Sequence, residues 1–255
     1  SLSFTSIIIF ILGTVIGSFV NVVALRKING KKFYKGFSHC ESCQVRIPWF
    51  DNIPIISFFL LRRKCRNCGS EISLQYPIVE FLVGVIFLIA TTLNLSITNY
   101  ILFVIICSVM TVISIIDLKQ QIIFQVHLVI LAILIITLKI STGLEYTFLN
   151  FLSGSLLFGL FILLLRLIGG FIYKREAMGI GDVKLALVCG FLLNWQLTIV
   201  AIYISIISAS IIGIFQMYII KRPMEILPFA PFISLGTVFS FIYGENIIYA
   251  FLSII

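Results

Sequence analysis

The sequence predicts an all-α polytopic membrane protein with about eight transmembrane helices and a small polar module between helices 1 and 2. Two observations carry this. Of 255 residues, 60% are hydrophobic and only 11% are charged, an apolar surplus that no soluble domain carries. The apolar residues also fall in continuous runs, several of them near the ~18–20 residues that cross a bilayer as a helix. Barrel strands would alternate apolar and polar residues, and these runs do not. A continuous helix, in contrast, satisfies its own backbone polar groups without water.

The first span runs from Phe4 to Leu25. It has no basic stretch ahead of it and outruns a signal-peptide core, so it reads as a retained helix. A polar segment, residues 26–73, follows. Further spans are expected at about Tyr76–Leu93, Asn99–Ile116, Phe124–Ile140, Thr147–Phe171, Val183–Leu193, Leu197–Ile220 and Phe229–Leu252. The sixth is short for a full crossing. The chain thus divides into a first helix (1–25), a polar module (26–73) and a larger membrane domain (74–255).

Charge orients the spans. The module holds Arg26, Lys27, Lys31, Lys32, Lys35, Arg46, Arg62, Arg63, Lys64 and Arg66. Alternate loops hold Lys119, then Lys174 and Arg175, then Lys221 and Arg222; the loops between are nearly bare, Lys139 excepted. Cytoplasmic loops carry the Lys/Arg excess, so both termini are expected outside and the module in the cytoplasm. The net charge of +8 then reads as topology and as contact with anionic head groups of the bilayer. Nucleic acid is not expected as a partner, because the basic residues follow the loops that orientation requires.

The module contains "HCESCQVRIPWFDNIPIISFFLLRRKCRNCGS". Cys40 with Cys43, and Cys65 with Cys68, form two C-x2-C knuckles about twenty residues apart, a spacing that suits a tetrahedral zinc site. Four protein thiolates would close the coordination sphere, so the metal would be structural. The basic residues around the second knuckle favour thiolate over thiol. A disulfide pair is the alternative, disfavoured on a reducing face, and unliganded thiols are another. His39 reads as a solvated neighbour, and Cys107 and Cys189 as packing residues within spans. A segment this short buries little, so metal ligation would supply folding free energy. Its inner stretch is apolar and aromatic, kinked by Pro48 and Pro54, and could rest on the membrane surface.

Acids at membrane depth are costly and are functional suspects by default. Asp182 opens span six after Gly179 and Gly181, in "GIGDVK"; the glycines would permit a tight turn and close approach. Asp117 ends span three, in "VISIIDLKQQIIF". The topology puts both at the cytoplasmic end of their spans. Adjacent carboxylates resist ionising together, so such a pair would share a proton and act as general base and general acid on a water attacking a peptide bond. The plainer readings are an N-cap for Asp182 and an interfacial pairing of Asp117 with Lys119. Lys184 is near enough to the interface to snorkel. Glu80, within span two, needs a partner, for which Arg166 is a candidate.

These stretches resemble the type 4 prepilin peptidases, bacterial members of the GxGD aspartic membrane proteases. "GSFVNVVALR" (Gly17–Arg26) resembles the family's first-span signature. Ile47–Phe81 resembles the module between the Cys pairs and the entry into span two. "IDLKQQII" (Ile116–Ile123) and "GIGDVK" (Gly179–Lys184) resemble the two acid motifs, while the last two spans match only as hydrophobic helices. The resemblance implies Asp117 and Asp182 as the catalytic pair, Gly179, Gly181, Lys184 and Glu80 as supporting residues, and the Cys tetrad as zinc ligands. It implies residence in the bacterial cytoplasmic (inner) membrane. The implied substrates are type IV prepilin or pseudopilin precursors, cut at the cytoplasmic face of the membrane. It further implies that members with this module also methylate the new N-terminus with S-adenosylmethionine, for which Asn21, Asp51, Asn52 and Glu80 are candidate participants. No glycine-rich nucleotide fingerprint stands in the module. One departure is plain: Phe124 stands where the family usually has proline, so the loop after the first acid could run differently.

Two rivals follow from the same residues. A transporter would use Asp117 and Asp182 as ion or proton sites and predicts related halves. A non-enzymatic docking protein of a pilus or secretion assembly predicts that both acids are dispensable.

Overall fold

The computed structural model describes residues 4–32, 36–143, 148–174, 178–220 and 227–253. Lys35, Arg175, Lys221 and Arg222 of the charge pattern, and Thr147 at the expected start of span five, lie outside the described residues. Nine α-helices are described: α1 (Phe4–Ile28), α2 (Ile56–Leu60), α3 (Gln75–Ala90), α4 (Ile97–Gln120), α5 (Gln125–Ser141), α6 (Phe148–Tyr173), α7 (Ile180–Leu192), α8 (Trp195–Phe215) and α9 (Ala230–Leu252). The described residues contain no named strand, only two isolated β-bridges in the module.

The protein is therefore all-α and built for a membrane. Eight of the helices match the eight expected spans, and α2 lies inside the module. Among the described residues, six helical stretches are long and apolar enough to cross a bilayer; α5 is apolar but has 17 residues. The sixth expected span is short in the structure as well: α7 has 13 residues, about 20 Å at 1.5 Å per residue, which falls short of a hydrocarbon core.

The chain forms two compact units, Ser1–Val112 and Ile113–Ile255. In the first, α1 packs along α3 through small and polar residues: Gly13, Thr14, Gly17, Val20, Asn21 and Ala24 are its buried residues, at helical spacing. Its large residues, Ile7, Ile11, Leu12, Val15 and Phe19 among them, point outward. This inversion suits lipid, where helices associate by close backbone approach rather than by burying bulky apolar groups. A Cβ on Gly17 would come within 2.7 Å of Glu80 Cα, so the approach requires glycine there.

In the second unit, α7 is enclosed by α5, α6 and α9, and α8 packs on α9 and α6. The α6–α7 crossing is as tight as the α1–α3 one: a Cβ on Gly154 would lie 2.6 Å from the Leu193 carbonyl oxygen. Ser155 donates to the Leu187 carbonyl at 2.7 Å, and Ser240 of α9 donates to the Leu197 carbonyl at 2.5 Å. These hydroxyls join helices where lipid offers no competing partner.

Candidate active site and cysteine cluster

Asp117 sits in the last turn of α4. The helix ends there because Gln121 adopts a left-handed φ of 55° and returns its N–H to the Asp117 carbonyl at 2.8 Å, a common helix-terminating geometry. The Asp117 side chain is 4% exposed. Its Oδ2 accepts a hydrogen bond from the Ala230 N–H at 3.0 Å. Ala230 begins α9 and is followed by Pro231, so this N–H is one of the unpaired donors at a helix start. Lys119, the expected charge partner, is exposed.

Asp182 sits in the first turn of α7 and is 7% exposed. Its Oδ2 accepts from the Gly179 N–H at 3.2 Å. It therefore does cap the helix, from inside the first turn rather than from the N-cap, which is Gly179. Capping uses one oxygen only. The other, Oδ1, is buried with no hydrogen-bond partner among the described residues, an arrangement that a purely structural cap does not need. Asp182 also lies close enough to Asp117 for the two charges to act on each other. Both acids thus lie within one unit, Asp182 in the first turn of α7 and Asp117 in the last turn of α4 with its carboxylate against the start of α9.

The glycines of the second motif have different reasons. Gly179 is extended, φ −72° and ψ 150°, a conformation open to any residue, so the expected tight turn is absent there. Gly181 instead gives way to the loop after α4: a Cβ would lie 3.0 Å from Ile123 Cβ. Lys184 is exposed and donates to Gln125 Oε1 at 3.2 Å, joining α7 to α5. Phe124, the departure from the family pattern, is the N-cap of α5 with φ −73° and ψ 130°. Proline fixes φ near that value, so the backbone here runs as a proline would have it.

In the first unit, the four Cys Sγ atoms lie within 4.8 Å of one another. The two knuckles fold identically. Cys40 N–H donates to Val45 O as Cys65 N–H donates to Ser70 O, and Gln44 N–H returns to Cys40 O as Gly69 N–H returns to Cys65 O. Gln44 and Gly69 occupy the same left-handed position, φ 56° and 71°. The His39–Arg46 bridge has its counterpart in Lys64–Glu71, so His39 belongs to the knuckle scaffold. The Cys43 backbone N–H and the Ser70 hydroxyl bring the Cys40 thiol down to about 6, and Ser70 lowers the Cys68 thiol as well. Cys107 and Cys189 are buried far along helices as packing residues.

The module is fastened to the α1–α3 pair through Glu80 and Tyr76. Glu80 Oε2 accepts the Ile55 N–H at 2.7 Å, and its carboxylate also receives the Ser18 hydroxyl. These take the role for which Arg166 was the candidate. Tyr76 donates to Glu41 Oε1 at 3.2 Å. Within the pair itself, Asn21 of α1, fully buried, accepts from Gln75 Nε2 of α3 at 3.0 Å. Asp51 is held by Arg66 through two hydrogen bonds of 2.9 and 2.7 Å, and Asn52 ends the short 3-10 turn Trp49–Asn52. The Ala230 amide, Ser18 and Ile55 escaped sequence reasoning. The one sequence signal for the first is Pro231, a residue that favours a helix start.

Residues 11–93 match the bacterial peptidase A24 N-terminal domain, and residues 104–214 match the type IV leader peptidase family. A type 4 prepilin-like proteins leader peptide-processing enzyme of Escherichia coli is 32% identical over 245 residues, covering 88% of each chain. A prepilin leader peptidase/N-methyltransferase of Bacillus subtilis is 26% identical, covering 94% of this chain and 95% of its own. Its namesake in Myxococcus xanthus is 28% identical over 83% of this chain, which spans 63% of that protein's length. No solved structure matches significantly. With both family domains in order and a relative at this identity along most of its length, the chain belongs to the type IV leader peptidase family.

Proposed function

We propose that this protein is a membrane aspartic endopeptidase that removes the leader peptide of type IV prepilins or pseudopilins at the cytoplasmic face of the bacterial inner membrane. Its peptidase chemistry lies within residues 74–255. The observation that carries the reading is that Asp117 and Asp182 are both buried in one unit, near enough for their charges to act on each other, with the Asp182 Oδ1 unpartnered among the described residues. An ion site in a transporter would draw several oxygens around one point, whereas here the Asp182 carboxylate caps its own helix, that of Asp117 accepts from the first amide of α9, and the Asp182 Oδ1 has no partner among the described residues.

The pair holds one proton between them. The ionised carboxylate takes a proton from a water, and the water oxygen bonds to the scissile carbonyl carbon. The protonated carboxyl gives its proton to the carbonyl oxygen. Collapse of the tetrahedral intermediate breaks the C–N bond: the leaving amine takes the proton held by the first acid, and one hydroxyl of the intermediate returns its proton to the second as C=O re-forms. Gly181 lets the loop carrying Ile123 close against α7, which sets the spacing of the two acids. The apolar helix that follows the leader in such a substrate would lie in the bilayer, with the scissile bond at its edge. The Lys/Arg-rich loops support placing that edge in the cytoplasm.

Cys40, Cys43, Cys65 and Cys68 fit a zinc ion, since four thiol sulfurs already converge and donors from Ser70 and Asn67 surround them. Zinc held there would fasten the two knuckles of the 26–73 module together and take no part in hydrolysis. S-Adenosylmethionine fits less well. Asn21, Asp51 and Glu80 each bond to other residues of the protein and form no cradle, so no methylation step is derived through them.

The test is the mass of a pilin N-terminus after co-expression with this protein, beside Asp117→Asn and Asp182→Asn at equal levels. A trimmed pilin with the parent and an intact leader with both variants establishes the two-acid peptidase, and an added methyl would show the transferase. Trimming by either variant removes that acid from the pair. An intact leader throughout, with several pilins offered, favours the transporter or docking readings.

A further inference from the structure

The module exposes an apolar surface that neither the acids nor the cysteines explain. Trp49 is 79% exposed, Phe59 70% and Leu60 75%, with Phe50, Ile53 and Ile56 exposed beside them. A contiguous group of this kind marks an interaction surface. Its depth is set by the Glu80 tether. Glu80 lies in the second turn of α3, about 8 Å along that helix from Gln75, and it holds the N–H of Ile55, the residue just before α2, at 2.7 Å. Helix α2 therefore lies beside the end of a membrane-crossing helix, at the level where α3 exposes Ile78, Phe81 and Leu82.

Charge completes the picture. Directly after α2, Arg62 and Arg63 take left-handed φ values of 50° and 62°, a sharp turn that ends the apolar stretch in basic residues. Arg63 pairs with Glu71 at 3.3 Å. Arg62 and Lys64 are exposed and have no carboxylate partner among the described residues. An apolar and aromatic face followed by exposed cations, tethered through Ile55 to the second turn of a span, matches a segment lying in the headgroup–acyl boundary.

We propose that Trp49–Leu60 is an interfacial anchor: α2 and the preceding turn insert into an anionic bilayer surface, and Arg62 and Lys64 meet the lipid phosphates. The inference does not depend on the peptidase reading. It gives the Glu80–Ile55 bond a purpose, since Ile55 is held at φ 62°, ψ −53°, a conformation costly for a β-branched residue.

The experiment uses the full chain in liposomes with one tryptophan. Trp49→Phe and Trp195→Phe remove both native tryptophans, and Phe59→Trp places the reporter. Lipids carry bromine either near the headgroup end or near the methyl end of their acyl chains. Shallow bromine is expected to quench roughly half the emission and deep bromine clearly less, as for a ring ~5–10 Å into the boundary. Replacing anionic by zwitterionic lipid should weaken the quenching, but not when Arg62→Gln and Lys64→Gln are present. Emission that is unquenched by either bromine overturns the proposal. Among such results, shielding that grows with protein-to-lipid ratio assigns the surface to a second copy, and shielding only on adding a leader peptide assigns it to substrate. Quenching indifferent to lipid charge overturns the role of Arg62 and Lys64.

Discussion

Asp117, at the end of α4, is joined to Ala230, at the start of α9, by a 3.0 Å hydrogen bond from the Ala230 N–H to Oδ2. The bond spans most of the second unit in sequence and makes Asp117 both a structural acceptor and a candidate acid. Asparagine keeps an acceptor oxygen there, whereas alanine leaves a buried N–H unpaired. Asp117→Asn is therefore expected to fold like the parent and to lose cleavage by about 10²–10⁴-fold. Asp117→Ala should lose cleavage and also ~1–3 kcal/mol of stability. Thermal denaturation in detergent beside a leader-cleavage assay separates the two effects. Equal cleavage by Asp117→Asn and the parent would refute the catalytic role.

Gly181 is expected to matter through Ile123 alone. A Cβ at 3.0 Å from Ile123 Cβ requires the neighbour to yield by a few tenths of an ångström, and Ile123 belongs to the loop that leaves Asp117. Gly181→Ala should therefore shift one acid against the other and lower cleavage by about tenfold, since small misplacements cost rate steeply. Adding Ile123→Ala removes the obstructing atoms and should restore most of the rate. If the double variant is no better than the single one, backbone freedom rather than close approach explains the glycine.

The contrast between these two residues shows what the sequence could reveal. Asp117 and Asp182 were legible because an acid beside an apolar run is rare and costly, so each stood out without any partner in view. The membrane helices were legible for the same reason of composition, and so was the shortness of α7. The Cys tetrad was legible because two C-x2-C knuckles constrain geometry locally. The partners were not. The Ala230 amide is a backbone group, invisible as a residue type, and the Ile123–Gly181 contact joins the loop after α4 to the first turn of α7 by tertiary folding alone. Glu80 was seen to need a partner, yet a search for charge led to Arg166, while a backbone N–H and a serine hydroxyl satisfy it. Phe124 looked like a disturbance because residue identity was visible and its φ of −73° was not.

That angle yields its own prediction. Phe124→Pro should be tolerated, because proline would hold the backbone where it already lies. Proline at a compatible position stabilises by about 0.4–1 kcal/mol through the unfolded chain, offset here by loss of the Phe124–His127 ring contact, centroids 6.0 Å apart. Cleavage within about twofold of the parent is the expected result. A collapse of activity would mean that the loop depends on the Phe124 side chain or its N–H.

The knuckles should be energetically equivalent, because each repeats the other's hydrogen bonds. Cys43→Ser and Cys68→Ser are expected to lose bound metal to the same degree, while Cys107→Ser and Cys189→Ser, whose sulfurs are buried in helices, keep it. Metal content per chain after purification reads this directly. Structural zinc ligation contributes on the order of 10 kcal/mol to small modules, so chelation should expose residues 36–73 to proteolysis. A full metal complement in Cys43→Ser would remove that thiol from the site.

Asp51 gives the module a defined response to pH. The Arg66 guanidinium, bonded through both nitrogens to both carboxylate oxygens, holds Asp51 below the usual carboxylate range. The Asp51 side chain is 5% exposed and that of Arg66 is 61%, so solvent screens the pair from one side. Because the folded state binds the Asp51 proton more weakly than the unfolded state, the stabilisation is fully present above the unfolded value of about 4. It is lost as pH falls through the lower, folded value. Asp51→Asn should thus speed hydrogen exchange in residues 48–56 at neutral pH, and the difference from the parent should shrink once the pH drops below the carboxylate range. A difference of the same size at every pH would show that shape and hydrogen bonding, rather than the Asp51 charge, hold the turn against the second knuckle.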